Sequence, residues 1–295
     1  MGGLALFGGV DAGGTTFKCG LASAGGDLVA RRRIPTTDPR ETISNCVAFF
    51  LEAAHEHDAE IAALGIAAFG PIDVDAASPA YGTILDTPKR GWSGANLFDL
   101  FSRALGVRVT VDTDVNGALL AEMKWGAARD ASSAAYVTIG TGIGAGIFAG
   151  GGFMGKPRHP EFGHICVQRH AADASFQGVC PKHGDCLEGL ASASALAARF
   201  GEPAALPADH QAWGIEAWYI AQACLNLNLS FRPDRIILGG GLMLAEHLLP
   251  RVQERYAQLV AGYLGESTSD IERLICRPGL GDDAGLLGGV ALARG

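Results

Sequence analysis

Two segments far apart in this chain repeat one pattern: a short apolar strand, a turn rich in glycine and hydroxyl groups, and a returning strand. In the first, a strand at residues 4–10 leads into Asp11, Ala12, Gly13, Gly14, Thr15 and Thr16, and residues 17–22 read as the return. In the second, residues 135–139 and 145–149 flank Gly140, Thr141, Gly142 and Gly144, with Thr138 just ahead of the turn. Glycine permits positive φ and lets backbone N–H groups come close to an anion, so each turn suits phosphate oxygens. A tight hairpin with an Asx-type turn accounts equally well for the first segment alone. The recurrence favours two facing turns that clasp one polyphosphate. Asp11, at a strand end, is placed to hold Mg2+ directly or through water, with Thr15, Thr16 and Lys18 toward the phosphates. A third cluster, Gly239, Gly240 and Gly241, ends a strand and is expected to open a helix, as for a nucleotide contact at a helix N-terminus.

The turns belong to two related halves. Helices are expected at about 41–57, 115–127, 192–200, 211–229 and 245–263, with strands at 61–68, 108–111 and 235–238 and a loop-rich stretch at 150–184. Alternating strands and helices indicate an α/β fold. With 295 residues, 48% of them hydrophobic, the chain is long enough for two lobes. A charged fraction of 18%, a net charge of −8 and the absence of a long basic run exclude a nucleic-acid footprint. Neither a signal peptide nor a membrane span can be read at the N-terminus, where Asp11 interrupts the apolar run, so a cytoplasmic location is expected, with no membrane partner. Gly150, Gly155 and Lys156 imitate a P-loop, but Pro157 stands where Ser or Thr would meet Mg2+ and no helix signal follows.

After the strand at 108–111 come Asp112, Thr113, Asp114, Val115 and Asn116, two acids at the carboxyl end of a strand. Phosphoryl transfer to a hydroxyl needs an acceptor for its proton, and a carboxylate suffices; Asp114 is the candidate base. An N-cap for the following helix is the alternative, and either acid could serve it. Glu161 and His164 form a pair suited to sugar hydroxyls, to which Asn96 and Glu188 could add contacts. Cys180, His183 and Cys186, with His164 upstream, make a Cys2His2 set that fits tetrahedral zinc. Four protein ligands leave no open position, so such a zinc is structural; a Cys180–Cys186 disulfide or unpaired thiols are the alternatives, and the lack of a secretion signal argues against the disulfide.

Together these motifs resemble the ROK family of repressors and sugar kinases, within the actin-like ATPase superfamily, over nearly the whole chain. The resemblance is carried by residues 11–18, 113–116, 138–146, 161–164 and the closing stretch 279–289 with Asp283. It implies two actin-like (ribonuclease H-like) lobes with the nucleotide and sugar in the cleft between them. Residues 1–115 with about 285–295 would form a small N-terminal lobe, and residues 116–284 a large lobe carrying the zinc loop. It further implies ATP and Mg2+, Asp114 as base, sugar contacts from Asn96, Asp114, Glu161, His164 and Glu188, and a homodimer. By the same resemblance His164 lies at or near the zinc. The run from Cys180 to Gly189, the segment Thr87, Pro88, Lys89, Arg90, Gly91, Trp92 and the run from His159 to His164 look like the fructokinase form. Fructose, phosphorylated at its 6-hydroxyl, is therefore expected, with mannose or glucose, or a sugar-sensing protein without catalysis, as alternatives.

Overall fold

The computed structural model describes residues 4–295. In chain order the first half gives β1 (Leu4–Ala12), β2 (Thr16–Ala22), β3 (Leu28–Pro35), α1 (Pro39–Glu56), β4 (Ala59–Ala68), α2 (Leu97–Leu105), β5 (Arg108–Thr113) and α3 (Asp114–Trp125). Then come β6 (Ala134–Ile139), β7 (Ile143–Ala149), β8 (Gly152–Phe153), α4 (Leu187–Ala191), α5 (Ala193–Phe200) and α6 (Ala212–Phe231). The chain closes with β9 (Arg235–Gly239), α7 (Leu248–Val260), α8 (Thr268–Leu274), β10 (Ile275–Cys276) and α9 (Ala284–Arg294).

The likeness between the two glycine turns extends to whole sheets. One sheet runs β3-β2-β1-β4-β5 and the other β8-β7-β6-β9-β10. In each, three consecutive strands meander antiparallel, and two later strands add in parallel beside the first. Parallel strands need both faces covered, which is why β4 and β6 read as nearly unbroken apolar runs. Each sheet has its own core: Phe17, Phe50, Ile66, Trp92 and Phe101 around the first, Trp213, Tyr219, Leu227, Ile236 and Tyr256 around the second.

Contacts divide the chain into two compact units. The first comprises the chain up to Arg129, Gly155–His159 and Gly279–Gly295; the second comprises Asp130–Met154 and Pro160–Pro278. Where the sequence places the boundary at 115/116, the contacts keep α3 in the first unit, because it packs on α9 and β4. That packing is backbone against backbone. A Cβ on Gly289 would lie 2.5 Å from the Val10 nitrogen, and one on Gly288 would lie 2.5 Å from the Gly117 carbonyl carbon. Glycine at these positions lets α9 settle onto β1 and α3.

Buried Glu122 fixes the chain that feeds α9. Its carboxylate accepts the backbone N–H groups of Ala127 (2.6 Å), Gly279 (2.9 Å) and Leu280 (3.0 Å), so the end of α3 and the entry to α9 hang on one side chain. Glu122→Ala deprives three partly buried donors of their common acceptor, and we expect a loss of about 2 kcal/mol in urea unfolding, read as a lower midpoint at unchanged slope.

Several elements depart from the sequence expectation for local reasons. Strand β3 is hidden by its composition, since Arg31, Arg32 and Arg33 fill it and only Ile34 is buried. After Gly241 the chain makes a 3-10 turn, Gly241–Leu244, so α7 begins at Leu248 and not at 245. Among the described residues no helix is long and apolar enough to cross a membrane.

Candidate active site and metal centre

In the first unit, β1 delivers Asp11 and β5 delivers Asp112, Thr113 and Asp114, all at strand carboxyl ends. Neither acid caps the helix. Thr113 does, its Oγ1 accepting the Asn116 N–H at 3.2 Å, which leaves Asp114 at the first helical position with its Oδ1 on the Val115 N–H (2.8 Å). Burial, with the negative charge of Asp11 added, raises the Asp114 carboxyl to about 6. Burial likewise raises Asp11, against the pull of Lys18 at 3.3 Å. A Cβ on Gly285 would sit 2.5 Å from Asp11 Oδ2, so glycine there admits the carboxylate to the start of α9. The first glycine turn is locked by the end of β3: Thr36 donates its hydroxyl to the Gly13 carbonyl (2.8 Å) and its N–H to the Thr15 carbonyl (2.9 Å). Gly14 and Thr15 stand exposed beside it.

Two candidates of this unit are otherwise engaged. Lys18 spends its ammonium on Asp11 and on the Asp282 carbonyl (3.2 Å). Asn96 caps α2: its Oδ1 accepts the Asp99 N–H (2.7 Å), and its Nδ2 donates to the Tyr81 carbonyl (3.0 Å) and Thr83 Oγ1 (2.9 Å). One residue was missed. Lys156, dismissed above with its false P-loop, puts its ammonium 2.6 Å from Asp112, whose other oxygen holds the Thr113 N–H and the Asn116 amide. The signal available was a lysine six residues after Gly150 and directly after Gly155, which says nothing about a partner 44 residues upstream.

In the second unit the turn after β6 carries exposed Thr141 and half-buried Gly142. Gly240, at φ +90°, packs against Ile139, and Gly239 against Tyr136, so the third glycine cluster abuts this turn. Glu188, on α4, accepts the Ile143 N–H at 2.9 Å. The 3-10 turn Phe162–His164 follows exposed Glu161 and lies against the start of β7, where the Ile143 carbonyl leaves no room for a side chain at Gly163. The second unit therefore gathers His164, Glu188, Thr141 and Gly142 around Ile143.

His164 Nδ1 lies 3.4 Å from Cys186 Sγ and 3.8 Å from Cys180 Sγ, and Cys180 Sγ lies 3.7 Å from His183 Nδ1. All four ligand atoms fall within 4.8 Å of one another. Tetrahedral bonds of about 2.3 Å to sulfur and about 2.0 Å to nitrogen put S and N about 3.6 Å apart, so the set fits zinc. Burial opposes ionisation of both thiols. At Cys180 the backbone N–H groups of His183 and Lys182 outweigh it and hold the thiol below its ordinary value, while Cys186 is pushed up to about 11.

A model of the ROK family matches residues 7–295. The chain belongs to the ROK family. A fructokinase of Zymomonas mobilis subsp. mobilis is 40% identical over 294 residues, covering 98% of this chain and 96% of that protein. A ROK hexokinase from Thermus thermophilus superposes with a TM-score of 0.78 at 25% identity, over 98% of this chain and 97% of that one. A ROK family glucokinase from Streptomyces griseus, solved in complex with glucose and AMPPNP, gives a TM-score of 0.77 at 26% identity over 98% and 99% of the two chains. The ROK neighbours share the actin-like ATPase fold, with its two sheets of like topology.

Proposed function

We propose that this ROK chain is an ATP-dependent hexose kinase, and within that class a fructokinase forming fructose 6-phosphate. The observation that carries the chemistry is Asp114, released from capping by Thr113 and held near neutrality in its proton affinity by burial. The family membership and the full-length fructokinase relative support the substrate.

In this reading Asp114 takes the proton of the sugar 6-hydroxyl, O6 attacks the γ-phosphorus, and the bond from that phosphorus to the β–γ bridging oxygen breaks, releasing ADP. Gly13, Gly14, Thr15 and Thr16 of the first unit and Thr141, Gly142, Gly239, Gly240 and Gly241 of the second are the nucleotide-facing positions. Lys18 acts there chiefly by steadying Asp11. Asp11 would hold Mg2+, which supplies charge neutralisation on the transferring phosphoryl group. Glu161, His164 and Glu188 contact the sugar; His164 turns Nδ1 to the metal cluster, which leaves Nε2 for a hydroxyl. Zinc on His164, Cys180, His183 and Cys186 supplies a structural clamp.

With Mg2+ and ATP, purified protein is expected to release ADP on addition of fructose and to do so with a higher kcat/KM than for mannose or glucose. Background ADP release with all three sugars would sink the kinase reading, and a preference for another hexose would sink fructose alone.

A further inference from the structure

Helix α4 is five residues long, with the metal cluster at its start and the second glycine turn at its side. Cys186, one of the four cluster residues, is its N-cap residue. Two residues on, Glu188 directs Oε2 to the Ile143 N–H, and it closes so tightly on the turn that a Cβ at Gly142 would lie 2.6 Å from that oxygen. Ile143 is held from its other side too, since its carbonyl packs on Gly163, the neighbour of His164 in the cluster. The rest of the turn hangs on α5: the Ala193 N–H donates to the Gly140 carbonyl (2.7 Å), and the Ser194 hydroxyl to the Thr141 carbonyl (2.9 Å). Two chain segments, one starting at Cys186 and one ending at His164, thus bracket the turn.

We infer that Glu188 is a positioning residue for the nucleotide turn, carrying the geometry set at the metal cluster to residues 140–143, so that metal loading raises affinity for the nucleotide triphosphate. The inference rests on the kinase reading above and adds to the sugar contact expected of Glu188. One oxygen is spent on the backbone, and a sugar hydroxyl falls to the other. The carboxylate also fixes which amides face outward. With the Ile143 N–H turned to Glu188, the amides of Thr141 and Gly142 are the ones left for phosphate oxygens.

Titration calorimetry with AMPPNP and Mg2+, in the absence of sugar, tests this on the full chain as wild type, Glu188→Ala and Glu188→Gln, each zinc-loaded and zinc-stripped. Stripping is expected to weaken wild-type binding about 5- to 150-fold, the usual span of coupling between sites. Loaded Glu188→Ala, with full zinc content, should bind as weakly as stripped wild type and lose nothing more on stripping. Glu188→Gln, whose amide oxygen can take the Ile143 N–H, should recover most of the affinity. Wild-type affinity indifferent to zinc overturns the inference, as does a full zinc effect in Glu188→Ala. Should the stripped chain lose its circular dichroism, the loaded proteins decide, and equal affinity in wild type and Glu188→Ala overturns it. Failure of loaded wild type to bind AMPPNP at all is a separate result that removes the kinase reading itself.

Discussion

Asp114→Asn is expected to lower kcat by about a thousandfold and, in the same protein without ligands, to raise the melting temperature. The first effect follows from the loss of a general base, which contributes about 10²–10⁴-fold. An amide of the same shape leaves sugar binding nearly intact, so the loss falls on kcat and not on KM. The second effect follows from the raised pKa. Asp114 goes from its ordinary 3.8 to about 6 on folding, so the folded state binds its proton more tightly than the unfolded one. At pH 8 the ionised carboxylate therefore opposes folding by up to about 3 kcal/mol, reduced to about 1–2 because the side chain is only half-buried. Asn removes that opposition. The gain in melting temperature should be full at pH 8, shrink as the pH falls through 6 and vanish below about 4, where Asp114 is protonated in both states. Wild-type kcat should fall over the upper part of the same window, as the base is protonated. A variant that keeps near-normal turnover, or that melts with wild type at pH 8, would refute the assignment.

The same numbers explain why the site was legible only in outline. The Asp11 and Thr141 turns could be found because glycines between apolar strands announce themselves locally, and the sheets they begin repeat each other strand for strand. The identity of the cap at α3 could not. Asp112, Thr113 and Asp114 are all capable N-caps, and the choice of Thr113 depends on Lys156 and Asn116 occupying Asp112. Asn96 reads in the sequence only as a candidate sugar contact, because nothing in its neighbourhood forecasts helix α2, which it caps. The buried network of Arg199 with Asp173 (2.6 Å) and Glu216 (3.5 Å) was wholly invisible, since those residues join only when the loop after His164 folds back onto α5 and α6. Desolvation raises Glu216 far above the usual carboxylate range, against the pull of Arg199. Long-range pairing of this kind leaves no periodic trace, whereas Cys180, His183 and Cys186 lie close enough in sequence to be read as a set.

That set carries the last large effect. Cys180→Ser and Cys186→Ser should each abolish stoichiometric zinc and reduce turnover at least ~100-fold, beyond what loss of a residue that only hydrogen-bonds to a ligand costs. The loop that joins the ligands is anchored unevenly. Its first part is fixed without any metal: Asp173 meets Arg199 and the Tyr219 hydroxyl, Arg169 holds the carbonyls of Asp173 and Phe176, and Gln222 holds the backbone of Gln168. Its last part is pinned at its ends, by the Val179 N–H on the Gly189 carbonyl and by the Arg169–Asp185 ion pair (3.0 Å), while the residues between them have little beyond the Cys180 and Gly184 backbone pair. Opening should therefore be local, confined to the stretch around Lys182, which is exposed and follows Pro181. Trypsin should nick the variants, or the chelated wild type, after Lys182 while sparing Arg169, and the core around Trp213, Tyr219 and Tyr256 should keep its cooperative melt. A folded, unchelated wild type without zinc would reject the metal assignment. Cleavage scattered evenly over the second unit would instead mean that the metal supports the whole core and not one end of a loop.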